Sequence, residues 1–298
     1  MFSKILIANR GEVAVRVIRA CKEMGIQTVA VYSKADKSAL HVEMADESYC
    51  IGGPMVKDSY LNMDVILTVA KKTGAEAIHP GYGMLSENPE FAKECSDNGI
   101  VLIGPGEDIM RKMGQKEVAR EIAKSADVPV TPGSDILAGG DDAIRNAEII
   151  GYPVILKARA GGGGKGIRVV RNEKELIPAF EQVKKEAKSS FADDAVFMEK
   201  YLENVKHVEV QIIADTKGKV LILGDRDCSV QRKNQKLIEE CPAPLLAEDL
   251  RGRMYEAAKR LVKAVGYVTV GTVEFLVKGD KFYFMEMNTR LQVEHSVT

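Results

Sequence analysis

The chain has 298 residues, 45% of them hydrophobic and 29% charged, which excludes disordered, collagenous and coiled-coil classes and suits about two globular domains. Lys plus Arg number 42 against 43 Asp plus Glu, a formal net charge of -1, so no global field draws the chain to nucleic acid or an anionic membrane. Cys21, Cys50, Cys95, Cys228 and Cys241 form no C-x-x-C pair, and no apolar stretch nears the ~20 residues of a membrane span, so a reduced, cytoplasmic protein is expected.

Lys4 to Ala8 is a short apolar run, followed by a turn and a helical pattern of Val13, Val17, Ile18 and Cys21 that stops at Gly25. Thr28 to Tyr32 reads as a second buried strand, making the opening a right-handed βαβ unit. Strands at Ser48 to Ile51, Ala77 to His79 and Val101 to Ile103 alternate with helices around Val65 to Lys72 and Pro89 to Asn98. The first part therefore predicts an α/β, doubly wound, Rossmann-like domain over residues 1–114. After Gly114 a charged helix from Lys116 to Ser125 leads into a Pro- and Gly-broken segment. Strands then dominate: Val154 to Ala158, Ile167 to Val170, Ala195 to Glu199, Val208 to Ala214, Val220 to Gly224, Thr269 to Val277 and Phe282 to Asn288. With helices at Glu173 to Ser190 and Glu248 to Val265 they predict an α+β domain over 115–298.

Gly161-Gly162-Gly163-Gly164-Lys165-Gly166 sits between two apolar runs, and side-chain-free backbone N–H groups there could cover an anion. It is neither a P-loop nor a dinucleotide fingerprint, because Lys165 is followed by Gly166 and a strand. Lys157, ending the preceding strand, offers a point charge to phosphates. Near the C-terminus, Glu286, Asn288, Arg290, Gln292 and Glu294 occupy alternate positions, which at the strand period places them on one face with Met285, Met287, Thr289, Leu291 and Val293 on the other. Fully extended, Glu286 and Arg290 would stand roughly 13 Å apart, room for metal-bound phosphates and an acceptor. Glu274 interrupts the apolar strand Gly271 to Val277, and a carboxylate there needs a partner. A divalent cation held by Glu274, Glu286 and Asn288, three hard oxygen ligands, would be such a partner. His79, before Pro80 and Gly81, reads as a turn-packing residue; His41 and His295 read as structural, and Cys228 and Cys241 as small apolar groups.

Ile7-Ala8-Asn9-Arg10-Gly11-Glu12, His79 to Asn88, Met198-Glu199-Lys200-Tyr201-Leu202 and Glu286 to His295, taken together, resemble the signature segments of biotin carboxylase, the ATP-grasp component of acetyl-CoA carboxylase and its relatives. The resemblance runs in register from Met1 to Thr298. It implies a pre-ATP-grasp domain over 1–114 and an ATP-grasp domain over 115–298 with a lid at about 132–202. It also implies ATP contacts on Lys116, Lys157, Gly163, Gly164, Glu199, Lys200, Tyr201, Leu202, His207, Gln231, Asn234 and Leu276, with two Mg2+ or Mn2+ sites on Glu274, Glu286 and Asn288. Lys236, Arg290, Gln292 and the Val293 backbone would bind bicarbonate, Glu294 would be the base that deprotonates it, and Arg290 would stabilise the biotin enolate and lower the Glu294 pKa. The implied acceptor is biotin on biotin carboxyl carrier protein, with a carboxyltransferase as further partner and a homodimer for the parent.

Asn234, Ala160 and Ser296 depart from the family pattern, and family members continue beyond Thr298. The chain is thus expected to be C-terminally truncated and impaired in carboxylation. Two other readings are open: an ATP-grasp ligase that passes an acyl phosphate to an amine, and a non-catalytic nucleotide-sensing scaffold.

Overall fold

The structure is a computed structural model and describes residues 1–159, 166–191, 193–232 and 235–298. The first elements are β1 (Lys4–Ile7), α1 (Gly11–Glu23), β2 (Gln27–Ser33), α2 (Leu40–Met44), β3 (Glu47–Gly52), α3 (Met63–Thr73), β4 (Ala77–His79), α4 (Pro89–Asp97) and β5 (Val101–Leu102). The strands form a parallel sheet in the order β3-β2-β1-β4-β5. Both faces are buried, as the continuous apolar runs require: Ile5 and Ile7 pack with Val13, Val17 and Ile18 of α1, while Leu6, Val29 and Val31 pack with Ile66, Ala70 and Phe91 on the other side. Asn62 and Asn88 start α3 and α4 by accepting from Val65 N and Phe91 N. This is the expected doubly wound α/β unit.

The chain order reverses at β1, so the carboxyl ends of β1 and β4 form the crevice where such sheets bind ligands. Asn9 closes its floor by donating to Pro80 O at 2.7 Å and Tyr82 O at 2.9 Å. Gly81 must be glycine there: φ is +63°, and a Cβ would meet the Asn9 amide at 2.7 Å. His79 packs this turn as expected, its Nδ1 accepting from Gly81 N, and burial lowers its pKa to about 4.

Next come α5 (Glu107–Gly114), α6 (Lys116–Ser125) and α7 (Gly140–Ile150), of which only α6 is expected from the sequence. The antiparallel strands β6 (Val154–Ala158) and β7 (Ile167–Val170), helix α8 (Glu173–Phe191) and β8 (Val196–Lys200) follow. They make a three-stranded sheet, order β7-β6-β8, around Leu156, Phe180, Val183 and Met198. The glycine run between β6 and β7, including Gly163 and Gly164, lies outside the described residues, as does Asn234.

The last unit contains β9 (Lys206–Ala214), β10 (Val220–Arg232), β11 (Gln235–Glu240), α9 (Glu248–Ala264), β12 (Thr269–Lys278) and β13 (Lys281–Asn288). Its antiparallel order is β11-β10-β9-β12-β13. Strand β10 does not end at Gly224 as its glycine suggests; a register shift there lets it run on to Arg232, and β11 pairs with the extension. On one face Val208, Val210, Ile212, Val273, Phe275 and Val277 pack against Leu250, Met254 and Leu261 of α9. The other face carries the polar residues of the same strands. No described helix is long and apolar enough to cross a membrane.

Candidate active site

Strand alternation sends Glu209 and Gln211 of β9 away from the α9 core, and pairing does the rest. Arg226 stands opposite Glu209, Glu209 opposite Glu274, and Glu274 opposite Glu286, so three carboxylates form one row across β9, β12 and β13. Directly opposed like charges repel, and Glu209 and Glu274 are buried, so the row requires cations. Lys236 reaches in from β11 and bridges Glu209, Glu274 at 3.1 Å and Glu294 at 2.8 Å. Burial alone would push its ammonium down, but Glu274, Glu209 and Glu294 outweigh this and raise its pKa.

Glu274 is the hub. Its Oε2 lies 2.6 Å from His207 Nε2, and its Oε1 accepts from Asn288 Nδ2 at 2.6 Å and Gln292 Nε2 at 3.2 Å. Gln231 donates to His207 Nδ1 at 2.7 Å, which leaves the ring proton on Nε2, facing Glu274. Burial would raise the Glu274 carboxyl, yet His207 and Lys236 hold it well below the usual carboxylate range. Glu294 is likewise lowered overall: burial raises it, and the Lys236 hydrogen bond, its own backbone N–H and the Lys236 and Arg226 charges together more than offset that. The neighbouring charge responsible is thus Lys236, with Arg226 adding a smaller effect, and not Arg290 as the sequence suggests.

Arg290 turns elsewhere. Its Nε donates to Glu87 at 2.8 Å and its Nη2 to Asn288 Oδ1 at 3.3 Å. The alternation argument holds only to Asn288, where β13 ends; residues 289–292 are irregular and Val293–Val297 is a 3-10 turn. A bulge opposite Glu274 and Phe275 also places Met285 outside the ladder, 39% exposed, while Met287 is buried. Glu294 and Gln292 therefore reach the cluster by chain reversal after the strand, not by continuing it. His295 holds this reversal through Nδ1 and Gln292 O, 2.8 Å apart.

Glu286 is the member of the row left without a close cation: Lys116 Nζ lies 3.8 Å away and is largely exposed. Both line a cleft of about 280 Å³ with Asn288, Thr289, Glu87 and Met113. The donor set fits a divalent cation between Glu274 and Glu286, since hard oxygens meet uncompensated charge there. His207, Glu209 and Glu274 also lie within 4.8 Å of one another. Lys236 already neutralises that trio, so the Glu286 side has the greater need of a cation.

The three-stranded sheet carries a separate group. Lys157 Nζ and Glu199 Oε2 are 2.5 Å apart, and Lys200 donates to the carbonyls of Gly151 at 2.9 Å and Tyr152 at 2.8 Å. Tyr201 N donates to Pro153 O, and Leu202 follows, half-buried, in irregular chain. Leu276 pairs with His207 in the main sheet, and Val293 is 60% exposed. The structure thus gathers Lys236, Glu274, Asn288, Gln292, Glu294, His207 and Gln231 into one network, with Arg290 tied to it through Asn288, Lys116 and Glu286 at its edge, and Lys157, Glu199 and Lys200 on another sheet. Sequence reasoning misses Glu209, Arg226 and Glu87. Glu209 has the same signal as Glu274, a carboxylate inside the apolar run Val208-Glu209-Val210.

Residues 1–110 match the family described as biotin carboxylase, N-terminal domain, and residues 115–298 match carbamoyl-phosphate synthase L chain, ATP binding domain. Biotin carboxylase 1 of Bacillus subtilis is 56% identical over 301 residues, covering 100% of this chain and 67% of its own length. A pyruvate carboxylase subunit of Methanothermobacter thermautotrophicus is 55% identical over 299 residues, covering 100% of this chain and 61% of its own. Among solved structures, the biotin carboxylase-beta-gamma-ATP complex from Campylobacter jejuni superimposes with a TM-score of 0.91 at 52% identity, over 100% of this chain and 67% of that one. The biotin carboxylase domain dimer of Hydrogenobacter thermophilus 2-oxoglutarate carboxylase, in complex with MgADP, ADP and bicarbonate, gives 0.88 at 51% identity, over 99% and 66%. The chain thus spans 61 to 67% of the length of these relatives.

Proposed function

Since the chain belongs to the biotin carboxylase family, we propose that it serves ATP-dependent carboxylation of biotin with bicarbonate, the first half-reaction of a biotin-dependent carboxylase. The observation that carries this reading is the Lys236 ammonium set among Glu294, Glu274 and Glu209, next to the Gln292 amide. It supplies a cation for an anionic substrate beside an ionised carboxylate that can take its proton. In this reading Lys236, Arg290, Gln292 and the Val293 backbone bind bicarbonate. Glu294 removes its proton, and the resulting oxygen attacks the γ-phosphate to give carboxyphosphate and ADP. The carboxyl group then passes to N1′ of biotin as the C–O–P linkage breaks; the inorganic phosphate that leaves takes the N1′ proton, and Arg290 steadies the biotin enolate so formed. Lys236 helps hold Glu294 ionised, so its carboxylate is free to accept the proton.

Lys116, Lys157, Glu199, Lys200, Tyr201, Leu202, His207, Gln231 and Leu276 would hold ATP, with Gly163, Gly164 and Asn234 outside the described residues. Glu274, Glu286 and Asn288 would hold Mg2+ or Mn2+, whose chemistry is charge neutralisation on the transferring phosphoryl group. Carboxyphosphate is short-lived in water, so the segment at about 132–202 would close as a lid over the site. Residues 1–114 and 115–298 would act as the two domains, with the biotin presented by a carrier protein and used by a carboxyltransferase. A homodimer, as in the Hydrogenobacter domain, and a cytoplasmic setting complete the proposal.

The test is ADP release from Mg-ATP and bicarbonate, with and without free biotin, using Glu294→Gln as control. Biotin-stimulated release that the substitution abolishes supports the reading. Release stimulated by ammonia instead would replace it with the amine-ligase reading that the match to the carbamoyl-phosphate synthase ATP-binding domain keeps relevant.

A further inference from the structure

Arg226 is a charged side chain with no exposed surface, in the middle of β10. Its neighbour Asp225 faces the α9 side and is satisfied there by Ala243 N, Arg251 and Tyr255. Alternation sends Arg226 to the opposite face, into the carboxylate row. Its Nε donates to Glu209, its Nη1 to Gln211 Oε1 at 2.8 Å and its Nη2 to Gln292 Oε1 at 2.9 Å.

Stability alone does not account for it. Burying an ion pair carries a large desolvation penalty, and apolar replacements of similar volume are often neutral or stabilising. What a guanidinium supplies is direction: it has five N–H donors in a rigid fork and no acceptor. Any amide beside it must show its oxygen to Arg226 and its NH2 to the far side. Gln211 therefore donates to Gly271 O at 2.9 Å, and Gln292 turns its Nε2 toward Glu274 at 3.2 Å. The third arm fixes Glu209, whose other oxygen holds Lys236.

We propose that Arg226 is a positioning residue for the bicarbonate pocket: it sets the amide of Gln292 with its donor turned away from the guanidinium, on the Glu274 side, and, through Glu209, the place of Lys236. This rests on the bicarbonate reading above and goes beyond it, since Arg226 is too deeply buried to meet the substrate itself. Without the fork, Gln292 can rotate its oxygen toward the anion, and the pocket then opposes what it should bind.

Arg226→Lys is the discriminating variant, because it keeps the charge but replaces the planar fork by a point donor. The KM for bicarbonate should rise about ten- to a hundredfold, as for other supporting contacts around a binding site, with the KM for ATP unchanged; the melting temperature should fall as well, because a lysine cannot satisfy Glu209, Gln211 and Gln292 together. Combined with Gln292→Ala, it should add less than its single effect, the mark of two residues acting through one contact. A lowered melting temperature with an unchanged bicarbonate KM would overturn the proposal and leave Arg226 a packing residue. Absence of bicarbonate-dependent ADP release in the unsubstituted chain would instead count against the functional reading. A crystal structure of Arg226→Lys then decides the positioning role separately. Displaced Gln292 and Glu209 support it; both side chains in their original places refute it.

Discussion

The two five-stranded sheets of this chain use the same strand geometry for opposite purposes. In the parallel sheet the central strands are apolar on both faces and covered by helices, and their polar contacts gather at the carboxyl ends, on Asn9, His79 and the turn from Pro80 to Gly83. In the antiparallel sheet one face is core and the other is a row of Arg226, Glu209, Glu274 and Glu286. The lesson is that polar residues within a strand are informative only where the partner strand puts more of them alongside. Glu274 alone is an oddity, but Glu274 between Glu209 and Glu286 is a row of charge that calls for cations.

If the core face of the antiparallel sheet is as indispensable as the parallel core, Phe275→Ala should cost about 3–5 kcal/mol by urea denaturation. Phe275 is fully buried and meets Phe282 edge-to-face at 5.4 Å. A cost near zero would mean that the charged face, not α9 packing, holds this sheet together. The charged face should instead reveal itself through pH. The folded Glu274 pKa lies below its ordinary 4.5, so its contribution to stability is present above that pH and is lost as the pH falls through the folded value. Glu274→Gln should be less stable near neutrality and show a shallower decline in acid; parallel curves for the two proteins would break the contrast between the faces. In the parallel sheet, Ile78→Val removes one buried methylene and should cost about 0.5–1.5 kcal/mol, without altering the acid slope. The smallest effect belongs to a surface pair: Lys93→Ala, which loses the half-exposed contact with Asp97, should leave the urea midpoint unchanged.

How far the sequence reveals this contrast depends on whether a feature is local. The βαβ opening is legible because the pattern of Val13, Val17, Ile18 and Cys21 and the flanking apolar runs are self-contained, and all four residues are buried. Glu274 is legible because a carboxylate amid Val273 and Phe275 conflicts with its surroundings. Helices α5 and α7 are not legible, their short amphipathic patterns sitting next to glycines that suggest loops. The alternation from Glu286 to Glu294 reads as one long strand, since nothing in that stretch announces the bulge at Met285 or the reversal after Asn288. Both are set by the partner strand and by the contacts of Glu87 with Thr289 N and the Arg290 side chain, more than 200 residues away in sequence. Arg226 and Lys236 are tied to the row by pairing of β9, β10 and β11, which no single stretch of sequence displays.

The most direct test of the opposed-carboxylate row as a cation site is a Mn2+ titration of the chain with ADP present, followed by electron paramagnetic resonance, for the unsubstituted protein and for Glu286→Gln. Glu286 is at the accessible end of the row, so the substitution should leave the melting temperature unchanged while weakening Mn2+ binding about tenfold or more, as expected when one anionic oxygen ligand of a hard cation is removed. Equal Mn2+ affinity in the two proteins would contradict the assignment and return Glu286 to the ordinary solvent-facing side of an edge strand.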